Sequence, residues 1–572
     1  MVNGPILIVG GGPTGLTLAA ELIRQGVLDI TVIDKLPGPL RQTKASVTWP
    51  RSLELLERYE GVLPALHNRC DFVHRVVLHR NPTSVFREVP LSAHLSSKHP
   101  HGVLVEQWYM EECLRAHLAC ANVAVQYDSE LVGYEYNTDA SCVIATIVRK
   151  KGTPDETTTA TAYAFVVGCD GARSGIRKLM GISFSGVTMP LGFVGVHFKS
   201  TTPVTLVHRD ALSIVLYDDG GSFITAMPND SYLAIVDLSL AQDAAYVSPD
   251  EVDAHGYPVQ RALTRDEMQA LLASRVSPEV AISEVLWSTH FRVNARVATK
   301  YSDSQRIFLC GDACHCHTPL LGQGMNVGIQ DAVNLGWKLA LVVRGVATPT
   351  LLASYGDERL IVGQELIAMT TRAQTAFSHR HPVFQQVRNS VVGGLARSDR
   401  FLDIWAPNLC ELSTNYRRNP GLTAESWTLA SMVSHPFVHL QQLWLQYCKT
   451  SRVCAGDRWP YEKFSSLSSK ASTGFELYLF QGLEGYNSHS VTVGELEAVV
   501  REVTLAFPGL VTQCRIELAT NEALYATIGV LGQCLFLIRP DGYVGLRSEP
   551  GNVDDVSAYL RQRVVLPPAA QA

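Results

Sequence analysis

Charge is scarce in this 572-residue chain. Only 18% of its residues are Asp, Glu, Lys or Arg, and 48 Lys+Arg against 54 Asp+Glu leave a formal net charge of −6. A polyanion partner calls for a concentrated basic patch, so this even balance argues against nucleic-acid binding. Cysteine is present, 13 residues, but no two stand as C-x-x-C. The odd number and scattered spacing speak against a disulfide framework and for a reducing compartment, the cytoplasm. The missing C-x-x-C leaves no dithiol redox motif. Gly (43) and Pro (28) sit near average usage, which excludes collagen-like and broadly disordered chains. Long hydrophobic runs are lacking too. The stretch 1–20 is uncharged, but five Gly and two Pro break it and no Lys or Arg precedes Arg24, so it suits neither a signal peptide nor a membrane span. No other uncharged apolar run reaches the ~18–20 residues a bilayer requires. H-E-x-x-H and G-x-S-x-G do not occur, which leaves zinc peptidase and serine hydrolase chemistry unsupported.

What is present begins at the N-terminus. Pro5-Ile6-Leu7-Ile8-Val9 is a continuous apolar run suited to a buried parallel strand. Gly10-Gly11-Gly12-Pro13-Thr14-Gly15 follows at once, then Leu16, Ala19, Ala20 and Ile23 recur at helical spacing up to Gly26. A second apolar strand, Ile30–Ile33, ends in Asp34-Lys35. Gly10, Gly12 and Gly15 thus form G-x-G-x-x-G between strand and helix, with an acid 24 positions after Gly10. The first glycine allows the tight turn, the second lets backbone amides approach a pyrophosphate, and the third lets helix and strand pack closely. A carboxylate at the end of the second strand can accept from an adenosine ribose. This much predicts a dinucleotide, NAD(P) or FAD.

Two later segments decide between them. The strand Ala164–Gly168 runs into Cys169-Asp170-Gly171-Ala172-Arg173-Ser174, with Arg177 after it. The strand Arg306–Cys310 ends in Gly311-Asp312, followed by His315, Pro319 and Gly322-Gln323-Gly324-Met325-Asn326, which opens a long helical pattern to about Arg344. With its G-x-G-x-x-G, Asp-Gly and Gly-Asp motifs in this order, the chain resembles the class A flavoprotein aromatic hydroxylases, related to para-hydroxybenzoate and phenol hydroxylases. The resemblance implies FAD as cofactor and NADPH or NADH as transient reductant. It implies an aromatic, phenolic or polyketide-like substrate hydroxylated with O₂ through a C4a-hydroperoxyflavin. Asp312 would hold a ribityl hydroxyl, and the amides of Gly324, Met325 and Asn326 would face the N1–C2=O edge of the flavin, where a helix N-terminus favours negative charge. Asp170, Gln107, Pro319 and Lys44 match positions near the cofactor in relatives. Lys44 stands where those relatives often carry Arg, keeping charge but losing the bidentate fork. Leu321 replaces one glycine of the usual run, and Ser46 stands where phenol hydroxylases have an activating Asp. No second G-x-G-x-x-G appears between strand and helix, which agrees with a reductant that visits and leaves.

The implied architecture is α/β: a Rossmann-like FAD-binding region over 1–185, completed by 292–360; a substrate-binding sheet over 186–291 with 72–105; a helical segment over 361–460; and a thioredoxin-like domain over 470–572 that supports homodimer contacts. Tyr232, His290 and Arg292 are candidate catalytic residues facing the substrate, alongside Tyr217 and Phe223. Cys310, Cys314, His315, Cys316 and His317 crowd eight positions. They lie inside the Gly-Asp motif, and no metal is expected. Oxygen insertion into a ketone, epoxidation, or sequestration of an aromatic ligand without turnover remain alternatives, since the cavity and not the fold selects the outcome.

Overall fold

The computed structural model describes residues 4–427 and 453–565, apart from 44–45, 82–83, 138–140, 218–219, 239, 253–257, 305, 319–321, 379–381, 420, 465–471 and 484–490. Lys44, Pro319 and Leu321 therefore lie outside the described residues, as does the Tyr217 side chain.

Apolar runs with no polar alternation can only be satisfied by burial on both faces, and that is where they fall. Ile6–Val9 is the middle strand of a five-stranded parallel sheet, ordered Ile307–Leu309, Phe165–Gly168, Ile6–Val9, Ile30–Ile33 and Val125–Gln126. The helix Pro13–Arg24 covers one side of it. Proline at its start costs no hydrogen bond, since the first turn has no intrahelical acceptor for that amide. The 20-residue helix Gly324–Val343 packs against it, with Val327 to Val342 entirely buried.

Alternating strands build the second layer. The eight-stranded sheet runs His315–Cys316, Ile282–Ala298, Phe184–Ser200, Ser231–Asp237, Gly220–Met227, Ala211–Tyr217, Arg75–Asn81 and Ser84–Pro90. One face rests on an apolar cluster that includes Val47, Trp49 and Leu409, and the other on Met268, Leu271 and Leu272. The last three belong to the helix Arg265–Arg275, which interrupts a stretch expected to be strand-rich. Its start is a capping box in which Thr264 and Glu267 satisfy each other's backbone amides.

The C-terminal region forms a third sheet, ordered Ala424–Trp427, Val544–Glu549, Cys534–Ile538, Phe475–Phe480 and Val511–Glu517, flanked by the helices Val493–Ala506 and Val553–Arg563. Its edge strand Ala424–Trp427 comes from the segment expected to be helical. Among the described residues of that segment lie most of the helix Ala353–Ser378 and the helices Pro382–Leu395 and Asp399–Leu409. Arg539 joins this sheet to the long helices: its guanidinium donates to both Glu358 oxygens and to Asp541, while Lys338 donates to Glu358 and Asn334. Among the described residues no helix is long and apolar enough to cross a membrane.

Candidate functional site

Loops leaving the C-terminal ends of parallel strands converge on a cavity of about 1000 Å³ beneath the large sheet. Its lining includes the glycine turn, Asp34, Lys35, Gln107, Asp170, Asp312, Gly324 and Met325, so motifs far apart in the chain share one wall.

The three glycines there do different work. Gly10 has φ +117°, and a Cβ would stand 2.2 Å from the Cys169 carbonyl oxygen. A Cβ on Gly15 would stand 2.0 Å from the Gly10 carbonyl oxygen, so both positions are closed by backbone. At Gly12 a Cβ would meet nothing within 4 Å, because that side opens on the cavity. Gly12 caps the helix Pro13–Arg24 without a side-chain hydrogen bond, leaving first-turn amides for an anion.

The carboxylates are oriented by backbone. Asp34 accepts from the Gly11 amide (2.8 Å) and the Leu36 amide (2.9 Å). A carboxylate has about four acceptor positions, so others remain for ribose hydroxyls. Asp170 accepts from the Gly175 and Ile176 amides at 2.7 and 3.2 Å. Arg177 turns away from the cavity: it donates to the carbonyls of Ala313 and Ala172 and lies 3.8 Å over the Phe184 ring, tying the Asp-Gly loop to the Gly-Asp loop. Gln107 opens the helix Gln107–Cys120 and donates to Glu111 at 2.8 Å. Asp312 sits exposed on the short turn Gly311–Ala313.

Gly324 and Met325 begin the long helix on the cavity wall. The Asn326 side chain, by contrast, is fully buried and spent on the protein. Its Oδ1 accepts from the Trp49 amide (2.8 Å), and its Nδ2 donates to the Val47 and Gly322 carbonyls. Only its backbone could serve a ligand.

The apolar roof comes from Phe223, Leu233 and Ile235 on neighbouring strands, Phe223 directly opposite Ile235. Phe223 was expected there. The candidates Tyr232, His290 and Arg292 are not on this face, and that expectation is corrected by strand parity. Successive side chains alternate, so if Leu233 and Ile235 face the cavity, Tyr232 faces away. It packs against the Met268–Leu272 side and stacks on Phe198 at 5.7 Å. His290 pairs in register with Val194, another residue of that far-side cluster, and Arg292 with Gly192, two positions along. His290 and Arg292 are held by Asp243 at 3.0 and 2.7 Å. Tyr232→Phe is accordingly expected to change turnover by no more than about twofold, where loss of a general base would cost ~10²–10⁴. Steady-state rates on the purified variant check this.

The Cys/His cluster disperses in three dimensions. Cys310 and Cys314 are in the core, His315 bonds Asp331 at 2.7 Å, and His317 Nδ1 donates to the Thr318 carbonyl at 2.9 Å. Ser46, Cys316 and His317 reach the cavity wall.

Burial pushes His197 and His317 down to about 4, and burial followed by repulsion from His99, His74 and His67 does the same to His101. Each stays neutral in the fold but titrates near 6.5 when unfolded. Their contribution is therefore whole above ~6.5 and is lost as pH falls towards 4, at ~1.4 kcal/mol per pH unit for a fully buried group and less for the partly buried His101. A thermal midpoint that falls steadily from pH 7 to pH 5 is the expected result, measured by calorimetry.

Residues 3–370 match the family described as FAD binding domain. The 6-methylpretetramide 4-monooxygenase of Streptomyces rimosus is 32% identical over 385 residues, covering 67% of this chain and 64% of that relative's length. A flavin-dependent monooxygenase of Mycobacteroides abscessus is 27% identical across 98% of this chain and 100% of its own. Among solved structures, aklavinone-11 hydroxylase in complex with FAD and aklavinone superposes with a TM-score of 0.73 at 21% identity, covering 98% of this chain and 99% of that one.

Proposed function

Since the chain belongs to the FAD binding domain family, we propose that it is a monooxygenase that uses NAD(P)H and O₂ to hydroxylate an aromatic, phenolic or polyketide-like, substrate. The observation that carries this reading is the convergence of three nucleotide motifs and an apolar roof on one cavity. Bound FAD would take a hydride from NAD(P)H and activate O₂, chemistry no side chain supplies. The residues present suit it. Gly10 and Gly15 hold the turn and Gly12 leaves room for a pyrophosphate at the helix N-terminus. Asp34 and Asp312 are set for sugar and ribityl hydroxyls, with Lys35, Gln107 and Asp170 along the same wall. The amides of Gly324, Met325 and Asn326 begin a helix whose positive end favours an anionic ring edge. Lys44 and Pro319 keep the roles the family resemblance gives them. Phe223, Leu233 and Ile235 exclude water above the reacting ring and hold the substrate flat.

In this reading residues 1–185 with 292–360 form the Rossmann-like cofactor region and 186–291 with 72–105 the substrate region. The C-terminal unit is thioredoxin-like and structural, since it carries no C-x-x-C. The twelve described cysteines are free thiols, which supports a cytoplasmic setting. The test is NADPH oxidation by FAD-loaded protein across a panel of phenols and fused-ring polyketides. Consumption that rises with a compound, together with a product heavier by one oxygen atom, is expected. A rate indifferent to every compound, with no oxygenated product, overturns the reading.

A further inference from the structure

The connection between the strands Ile30–Ile33 and Val47–Thr48 lines the cavity through Asp34, Lys35, Leu36, Leu40 and Ser46. At Thr43 it is fastened to the large sheet rather than to the parallel sheet it leaves. Thr43 Oγ1 lies 3.0 Å from His197 Nδ1, and His197 Nε2 lies 2.8 Å from Ser231 Oγ; all three residues are at most 3% exposed.

Donor accounting gives this chain one direction. Ser231 Oγ donates to the Pro228 carbonyl at 2.8 Å, and a carbonyl can only accept. A hydroxyl has a single proton, so Ser231 must receive its second hydrogen bond from His197 Nε2–H. Nδ1 is then the bare nitrogen, and Thr43 O–H donates to it. Burial keeps the imidazole neutral well below pH 7, so the arrangement holds at physiological pH.

His197 also sits directly across from Leu233, one of the roof residues, in the antiparallel pairing of Phe184–Ser200 with Ser231–Asp237. The cofactor-side connection and the substrate roof therefore share one buried anchor.

We propose that Thr43, acting through His197, is a positioning residue that sets the spacing between the cofactor-side wall and the substrate roof and so keeps oxygen transfer coupled to reductant use. The proposal rests on the monooxygenase reading. In coupled turnover, substrate, NADPH, H⁺ and O₂ give hydroxylated product, NADP⁺ and H₂O. When the spacing fails, NADPH, H⁺ and O₂ give NADP⁺ and H₂O₂, and the substrate leaves unchanged.

Thr43→Val keeps the side-chain shape and removes the donor, leaving Nδ1 buried without a partner. In the FAD-loaded protein, product and H₂O₂ per NADPH and the dissociation constant for FAD are measured side by side. Expected are a peroxide share raised severalfold and FAD affinity reduced ~5-fold, the scale of one neutral hydrogen bond. Thr43→Ser, which restores the hydroxyl, returns both to wild type. His197→Gln, whose amide can both accept and donate, returns them in part. Unchanged coupling and affinity in Thr43→Val overturn the proposal, as does failure of Thr43→Ser to rescue, which would make shape and not the hydrogen bond responsible. If no compound is hydroxylated by the wild type, the monooxygenase reading fails, and the FAD affinities alone decide the anchor.

Discussion

A Gly12→Val protein is expected to purify folded but without FAD. Gly12 has φ −82° and ψ −176°, extended backbone that valine adopts readily, and a Cβ there meets no protein atom within 4 Å. The substitution therefore costs the fold little. The space it fills is the approach to the amides of the Pro13–Arg24 helix, so an isopropyl group holds a pyrophosphate away from a place where helix dipole and open amides coincide. A loss of ~10²–10³ in FAD affinity, ~3–4 kcal/mol, is expected. Gly15→Ala provides the contrast. Its Cβ would stand 2.0 Å from the Gly10 carbonyl oxygen, a backbone atom that cannot step aside, so the cost falls on the fold as well. Thermal melting beside flavin absorbance separates the cases: Gly12→Val near the wild-type apoprotein midpoint and colourless, Gly15→Ala destabilised. Wild-type FAD affinity in Gly12→Val would mean that the cofactor does not cross this turn.

Arg539→Met is expected to destabilise the protein by ~3–5 kcal/mol, the scale for removing one partner of a buried ionic group. Glu358, Lys338 and Arg539 have fully buried side chains, and Asp541 is nearly so. Burial by itself would raise the Glu358 carboxyl, but Arg539 and Lys338 outweigh it and hold the group at about 2. With Arg539 gone, Lys338 is the one cation of this network left to face the Glu358 and Asp541 carboxylates. Because the folded-state value of Glu358 lies below its usual 4.5, its stabilisation is whole above ~4.5 and lost as pH falls towards 2. Replacing Arg539, Glu358 and Lys338 by methionine and Asp541 by asparagine together is expected to recover much of the loss, since all four charges of the network then leave with their desolvation cost. Chemical denaturation of the single and quadruple variants checks both. If Arg539→Met unfolds as the wild type does, the C-terminal sheet is not held to the long helices by this network.

Local patterns carried most of the nucleotide half. Unbroken apolar runs at Ile6–Val9, Phe165–Gly168 and Ile307–Leu309, each followed by glycine or an acidic turn, can be read without knowing what they pair with. The roof could not be read this way. Tyr232 and Leu233 are neighbours of similar bulk, and only the pairing of Ser231–Asp237 with the strands beside it says which faces the cavity. The error at His290 and Arg292 has the same cause. Thr264 and Glu267 did spell a helix start, a local signal obscured by the strand-rich context around it. The roles of Asn326, Arg177 and His197 depend on partners more than a hundred residues away. The edge strand Ala424–Trp427 likewise exists only because Val544–Glu549 offers it a ladder.

The most direct test is turnover of the FAD-loaded protein with NADPH under ¹⁸O₂, using the compound that most stimulates NADPH oxidation. The expected result is a product carrying one ¹⁸O atom for each NADPH consumed in coupled turnover. Recovery of all the label as hydrogen peroxide, with the aromatic compound unchanged, would contradict it.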